Sequence, residues 1–249
     1  MEGKVVLVTG AASGIGEATA LLAAARGASV VIADLNVGDA EALAAKIGEN
    51  ALHCAVDVSS AEDMRKLFDR AVTRFGRVTS VVNNAGMIVT KSLVTTTVEE
   101  WDRCMAVNAR GVFLGCKYAV EHFLAREGGG AIVNTASISA LVGLRDQPAY
   151  CASKGAVLQL TKQIAVDYSA QGVRCNSVGP GAVETAVLKS YFDGQSDPGA
   201  ARIAMGSTHP IGRLGQPIEI AAAICFLLSD AASFITGANL QVDGGYTAA

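Results

Sequence analysis

Tyr150 and Lys154 stand four residues apart in Tyr150-Cys151-Ala152-Ser153-Lys154. On a helix that spacing puts both on one face, with the ammonium one turn beyond the phenol. A free phenol has a pKa of about 10 and a nearby positive charge favours the phenolate, so Tyr150 is expected to titrate closer to working pH and serve as a general acid and base. A second group of residues is built to hold phosphate. In Thr9-Gly10-Ala11-Ala12-Ser13-Gly14-Ile15-Gly16, Gly10 allows a tight turn, while Gly14 and Gly16 let a pyrophosphate approach the backbone at a helix start whose amides are unpaired. Asp34 follows at the distance where a carboxylate accepts both adenosine-ribose hydroxyls and repels a 2'-phosphate. No Arg or Lys occupies positions 11–13 or 35–37, so NAD is favoured over NADP.

Holding these residues in place requires strands that end where the chemistry begins. Short β-branched runs at 4–9, 29–33, 52–56, 78–82, 131–135, 174–178 and 239–242 alternate with Ala- and Leu-rich segments of helical spacing. Runs such as VVLV and VVIA are apolar throughout, as strands are when helices cover both faces of a parallel sheet. The fold class is therefore α/β, a doubly wound parallel sheet of seven strands. No linker or composition shift divides the chain, which reads as one domain over 1–249. The stretch 185–213, interrupted by Gly194, Asp197-Pro198-Gly199 and Pro210, reads as a long excursion that serves as a substrate lid.

The 249 residues are 51% apolar and only 17% charged, against about 25% charged in an average soluble protein. The low charge suggests that subunit contacts cover apolar surface. A net charge of -3 argues against a nucleic-acid or anionic-membrane partner. The run 220–228 is far shorter than the ~20 apolar residues a membrane span needs. Six cysteines form no CxxC pair and do not cluster with His53, His122 or His209. They read as buried hydrophobes in a reducing cytosol, with neither a metal site nor a disulfide scaffold. An apolar strand directly after Met1-Glu2-Gly3-Lys4 argues against a cleaved leader, and a cytoplasmic protein is expected.

The glycine turn, Asn83-Asn84-Ala85-Gly86, Asn108, Ser137 and the Tyr150–Lys154 motif occur in an order that resembles the short-chain dehydrogenase/reductase family. The Ser to Tyr spacing is thirteen, and the likeness runs from Lys4 to Phe234-Ile235-Thr236-Gly237 and Asp243-Gly244-Gly245. It implies a Rossmann fold and reversible transfer of hydride between a nicotinamide cofactor and a secondary alcohol or ketone. By the same likeness Lys154 also holds the nicotinamide ribose, Ser137 bonds the substrate oxygen and Asn108 supports a water chain to Lys154. Asp57 and Val58 match the adenine contacts, Asn84, Ala85 and Gly86 the turn beside the ribose. Pro180, Gly181, Val183 and Thr185 match the stretch that grips the carboxamide. Ser13, Ile15 and Leu35 complete the expected cofactor contacts. Cys151 departs from the commoner Ser and reads as packing.

Substrate contacts are expected from Ser137, Ser139, Leu144, Gln147 and Tyr150, and from Leu188 and Tyr191 in the excursion, with Met87, Phe192 and Met205 nearby. This mostly apolar set suits a hydrophobic or cyclic alcohol, diol or steroid-like substrate. The resemblance leaves a sugar or polyol dehydrogenase open. An NADPH-dependent 3-oxoacyl-[acyl-carrier-protein] reductase would need a basic residue by the 2'-phosphate, and a non-catalytic NAD-binding sensor would have no use for Ser137, Tyr150 and Lys154 together. The family likeness also implies a homotetramer that pairs the helices around 113–124 and 150–168.

Overall fold

The computed structural model describes residues 1–126 and 128–248. Strands β1 (Val5–Thr9), β2 (Ser29–Asp34), β3 (Ala51–Ala55), β4 (Ser80–Asn83), β5 (Gly130–Thr135), β6 (Val173–Pro180) and β7 (Asn239–Val242) form one sheet. Their order is β3-β2-β1-β4-β5-β6-β7 and every pair is parallel. Side chains alternate between the faces, as a period of two requires. Val5, Leu7, Val31 and Ile132 enter one core layer beneath α3 (Ala61–Phe75), α5 (Gly111–Leu124) and α6 (Pro148–Tyr168). Val6, Val8, Ile32 and Val133 enter the other, beneath α1 (Gly14–Ala25), α2 (Val37–Ile47) and α9 (Pro217–Leu228). Such two-sided burial explains the uninterrupted apolar runs of the central strands. This is the doubly wound Rossmann architecture.

Strand order reverses between β1 and β4, and at such a switch point the two crossovers leave on opposite faces and open a crevice beyond the strand ends. The ends of β1 and β4 are Thr9 and Asn83, so the glycine turn and the Asn84–Gly86 segment face one another there. The excursion contains two helices, α7 (Ala186–Asp193) and α8 (Pro198–Ser207). Asp197-Pro198, which as sequence reads as an interruption, starts α8. The Asp197 carboxylate accepts from Ala200 N at 2.9 Å and Pro198 occupies the first helical turn, where its missing N–H costs nothing. No helix among the described residues is long and apolar enough to cross a membrane.

Candidate active site

The turn after β1 is shaped by what it cannot accommodate. Gly10 adopts φ +62°, and a Cβ there would lie 2.7 Å from Ala85 Cα; one on Gly16 would strike the Gly10 carbonyl oxygen. The Thr9 hydroxyl accepts from the amides of Asn84 (3.1 Å) and Ala85 (3.2 Å), and Asn84 Nδ2 donates to the carbonyls of Thr9 (3.1 Å) and Gly10 (3.0 Å). The two sides of the crevice are thus pinned together. Ser13 is exposed and does not cap α1, which leaves the first amides of that helix for an anion. These features fit a dinucleotide pyrophosphate.

Asp34 ends β2 with its carboxylate turned to the same crevice, accepting from Ala12 N and Asn36 N, both at 2.9 Å. Each oxygen retains a lone pair for a ribose hydroxyl. Leu35 beside it is 72% exposed. Asp57 Oδ1 accepts from the amide and hydroxyl of Ser59 (2.8 and 2.7 Å), fixing the turn after β3. The Val58 side chain is buried in the core, in contact distance of Gly111, so only its backbone can serve a ligand.

Asn108 sits in a π-helical turn, Ala106–Arg110, between α4 (Val98–Met105) and α5. Such turns often mark functional positions because they re-aim one side chain within an otherwise regular helix. Its amide is held at both ends: Nδ2 donates to Met87 O (2.8 Å) and Ser153 Oγ (3.1 Å), while Oδ1 accepts from Met87 N (2.8 Å). Ser153 in turn donates to Tyr150 O at 2.8 Å. Lys154, 3% exposed, donates to Thr135 O at 2.7 Å, and its Nζ lies 5.6 Å from the centre of the Tyr150 ring. The Thr135 hydroxyl donates to Asn84 Oδ1 (3.3 Å), joining this cluster to the glycine turn. A Cβ on Gly86 would approach both Asn108 Oδ1 (3.4 Å) and Lys154 Nζ (3.6 Å).

Electrostatics here correct one expectation. Burial raises the Tyr150 phenol above its ordinary value, opposed by a hydrogen bond with Ser137, and Lys154 is not among the groups that shift it. The ammonium lies toward the ring and is itself desolvated, which lowers Lys154 to about 8. Burial, rather than attraction between the two groups, sets the direction of both shifts. Ser137 is buried and its Oγ accepts from Ser139 N at 3.1 Å.

Beyond β6, Gly181 N donates to Val242 O (3.2 Å), and Val183 bridges Gly215 in a short parallel ladder. Thr185 caps α7, its Oγ1 accepting from Leu188 N at 3.4 Å; its Cγ2 would lie 3.2 Å from a Cβ on Gly14. The turn after β6 therefore adjoins the glycine turn. Pro180 closes β6. Among the substrate candidates, Ser139 Oγ and Gln147 Oε1 are buried without a hydrogen-bond partner. Leu144 and Leu188 are half-buried, and Tyr191 is exposed with its ring against Phe192 at 5.6 Å. No hydrogen bond among the described residues links Leu188 or Tyr191 to Tyr150 or Ser137. α7 and α8 flank an open groove of about 440 Å³ lined by Thr185, Lys189, Phe192 and Arg202, among others.

Sequence reasoning missed Thr135 and Ser153. Ser153 lies inside the Tyr150–Lys154 motif and about one helical turn from Tyr150, so spacing could have found it. Thr135 acts through its backbone carbonyl, which no side-chain pattern reveals.

Known proteins resemble the chain over nearly its whole length. The family model described as Enoyl-(Acyl carrier protein) reductase matches residues 10–247. A cyclohexanol dehydrogenase of Acinetobacter sp. (strain SE19) is 42% identical over 98% of this chain and 95% of its own. A cis-4-hydroxycyclohexanecarboxylate dehydrogenase of Sinomonas cyclohexanicum is 44% identical over 98% of this chain and 97% of its own. The crystal structure of 3-ketoacyl-(acyl-carrier-protein) reductase from Brucella melitensis, complexed with NADH, superposes with a TM-score of 0.92 at 37% identity, covering 99% of both chains. With the glycine turn, the Asn108 turn and the Tyr150–Lys154 pair in their places along that shared length, the chain belongs to the short-chain dehydrogenase/reductase family and is an oxidoreductase that uses a nicotinamide cofactor.

Proposed function

We propose that the protein interconverts a secondary alcohol and a ketone with NAD, on a hydrophobic or cyclic substrate. The observation that carries this reading is the cluster of buried Asn108, Ser153 and Lys154 with half-buried Tyr150 beside Ser137, tied through Thr135 to the glycine turn. The nicotinamide, when bound, supplies the hydride acceptor or donor. Ser137 and Tyr150 hold the substrate oxygen, and Tyr150 Oη takes the hydroxyl proton in oxidation or returns it in reduction. Burial raises the Tyr150 pKa, so the neutral phenol is the proton donor for ketone reduction, and the oxidation direction draws on the phenolate, whose share grows as pH rises. Lys154 holds the ribose and Asn108 fixes the Met87 backbone beside it.

Asp34, with no cation at 11–13 or 35–37, supports NAD over NADP. The segment 185–213 acts as the substrate lid of a single domain. Relatives that act on cyclic alcohols favour a ring substrate, while a D-threitol dehydrogenase at 42% identity keeps the polyol reading as an alternative. Six free thiols suit a reducing cytoplasm. The test is turnover with NADH and NADPH against cyclohexanone, a hydroxyketone, a ketose and a 3-oxoacyl thioester. Reduction of the cyclic ketone with NADH is expected. NADPH-linked reduction of the thioester alone would replace this reading with that of an acyl reductase.

A further inference from the structure

We propose that His209 is a positioning residue for the nicotinamide end of the cofactor, acting through the amide of Ala182. This rests on the reading above that the 181–185 turn holds the carboxamide. His209 is 3% exposed, and its Nε2 accepts from Ala182 N at 3.1 Å. Because Nε2 accepts, Nδ1 carries the proton and donates to Met205 O at 3.1 Å, in the last turn of α8. Thr208 Oγ1 is also within 3.2 Å of Nδ1. The ring packs against Tyr246 with centroids 5.3 Å apart, and the His209 carbonyl accepts from Gly212 N at 2.7 Å. One imidazole thus ties the turn after β6 to the end of the lid and to the tail.

The other side of the same turn is already fixed. Gly215 N donates to Ala182 O and Glu184 N donates to Gly215 O, both at 2.9 Å, and Gly181 N is held by Val242 O. The Ala182 amide is what His209 alone secures among the described residues. Gly181 makes room for this, because a Cβ there would stand 2.7 Å from His209 Nε2. Losing the acceptor frees an amide one residue before Val183, whose backbone is the expected carboxamide contact. A turn free to rotate there would loosen the nicotinamide while leaving the adenosine half, which is held by other elements, untouched.

The two amide replacements separate the two ring nitrogens. His209→Gln places an oxygen near the Nε2 position and keeps the acceptor, whereas His209→Asn retains only a group near Nδ1. Affinities for NADH and for ADP-ribose, which lacks the nicotinamide, are measured by fluorescence and calorimetry on the full chain. His209→Asn is expected to weaken NADH about tenfold, the cost of one lost buried hydrogen bond, with ADP-ribose unchanged. His209→Gln should stay within about threefold of the natural protein, a smaller loss because the Ala182 bond is kept. Parallel loss of both ligands, or no change in the NADH to ADP-ribose ratio in His209→Asn, would overturn the proposal. If the natural protein itself binds both ligands equally, the turn does not hold the nicotinamide, and the reading beneath the proposal falls first.

Discussion

Lys154 bears the largest electrostatic cost of the site. Its ammonium is buried and donates to a neutral carbonyl, and no carboxylate among the described residues pairs with it. Burial lowers its pKa from 10.5 to about 8. Between those values the unfolded chain binds more protons than the folded one, so stability rises with pH across that window. Below about pH 8 the full penalty is present, on the order of 3 kcal/mol. Replacing Lys154 by Met should therefore abolish turnover yet raise the urea midpoint of the cofactor-free protein at pH 7. The gain should shrink between pH 8 and 10.5, and a variant less stable than the parent at pH 7 would contradict this. The Tyr150–Lys154 pairing was legible from spacing, whereas Ser137 was singled out only through the family resemblance. The direction of the Tyr150 shift was not, because it depends on how much protein surrounds the phenol rather than on which residues are its neighbours in sequence.

At the scale of elements, β1 and β4 bring the cofactor turn and the Asn84–Gly86 segment together, and β2 delivers Asp34. The turn glycines and the strand-end acid were readable because each obeys a local rule. Gly10 needs a positive φ, and Asp34 is the one carboxylate at the end of β2, the place where the proposed ribose contact requires an acid. Less readable was the π-helical turn that aims Asn108, since it spans only Ala106–Arg110, too short a stretch to show a period of its own. The helix starts in the excursion were obscured because Asp197-Pro198 serves equally as a turn and as a cap. Cofactor choice belongs to this scale. Asp34→Arg should weaken NADH at least about tenfold through the lost ribose contacts and improve NADPH, as measured by fluorescence titration. An unchanged NADH affinity would show that β2 does not deliver the ribose ligand.

The whole molecule leaves apolar side chains in solvent. Phe234 is fully exposed, Val166 on α6 is 84% exposed, and Phe113 and Leu124 on α5 are nearly half exposed. Two of the elements bearing them, α5 and α6, also carry Asn108's neighbours and the Tyr150–Lys154 pair, so an interface there would stiffen the site from behind. The family likeness suggests a homotetramer, and these faces supply apolar area for it. Light scattering at micromolar concentration should give about four times the 25.4 kDa chain mass. A monomer would contradict the assembly without touching the chemistry. That chemistry is tested most directly by Tyr150→Phe, assayed for NADH-dependent reduction of the ketone the parent turns over and for NADH binding. Removing a single oxygen should cut turnover at least about a hundredfold, as for loss of a general acid, and leave NADH affinity within about threefold. Retained turnover, or an equal loss of binding and turnover, would show that Tyr150 does not transfer the proton.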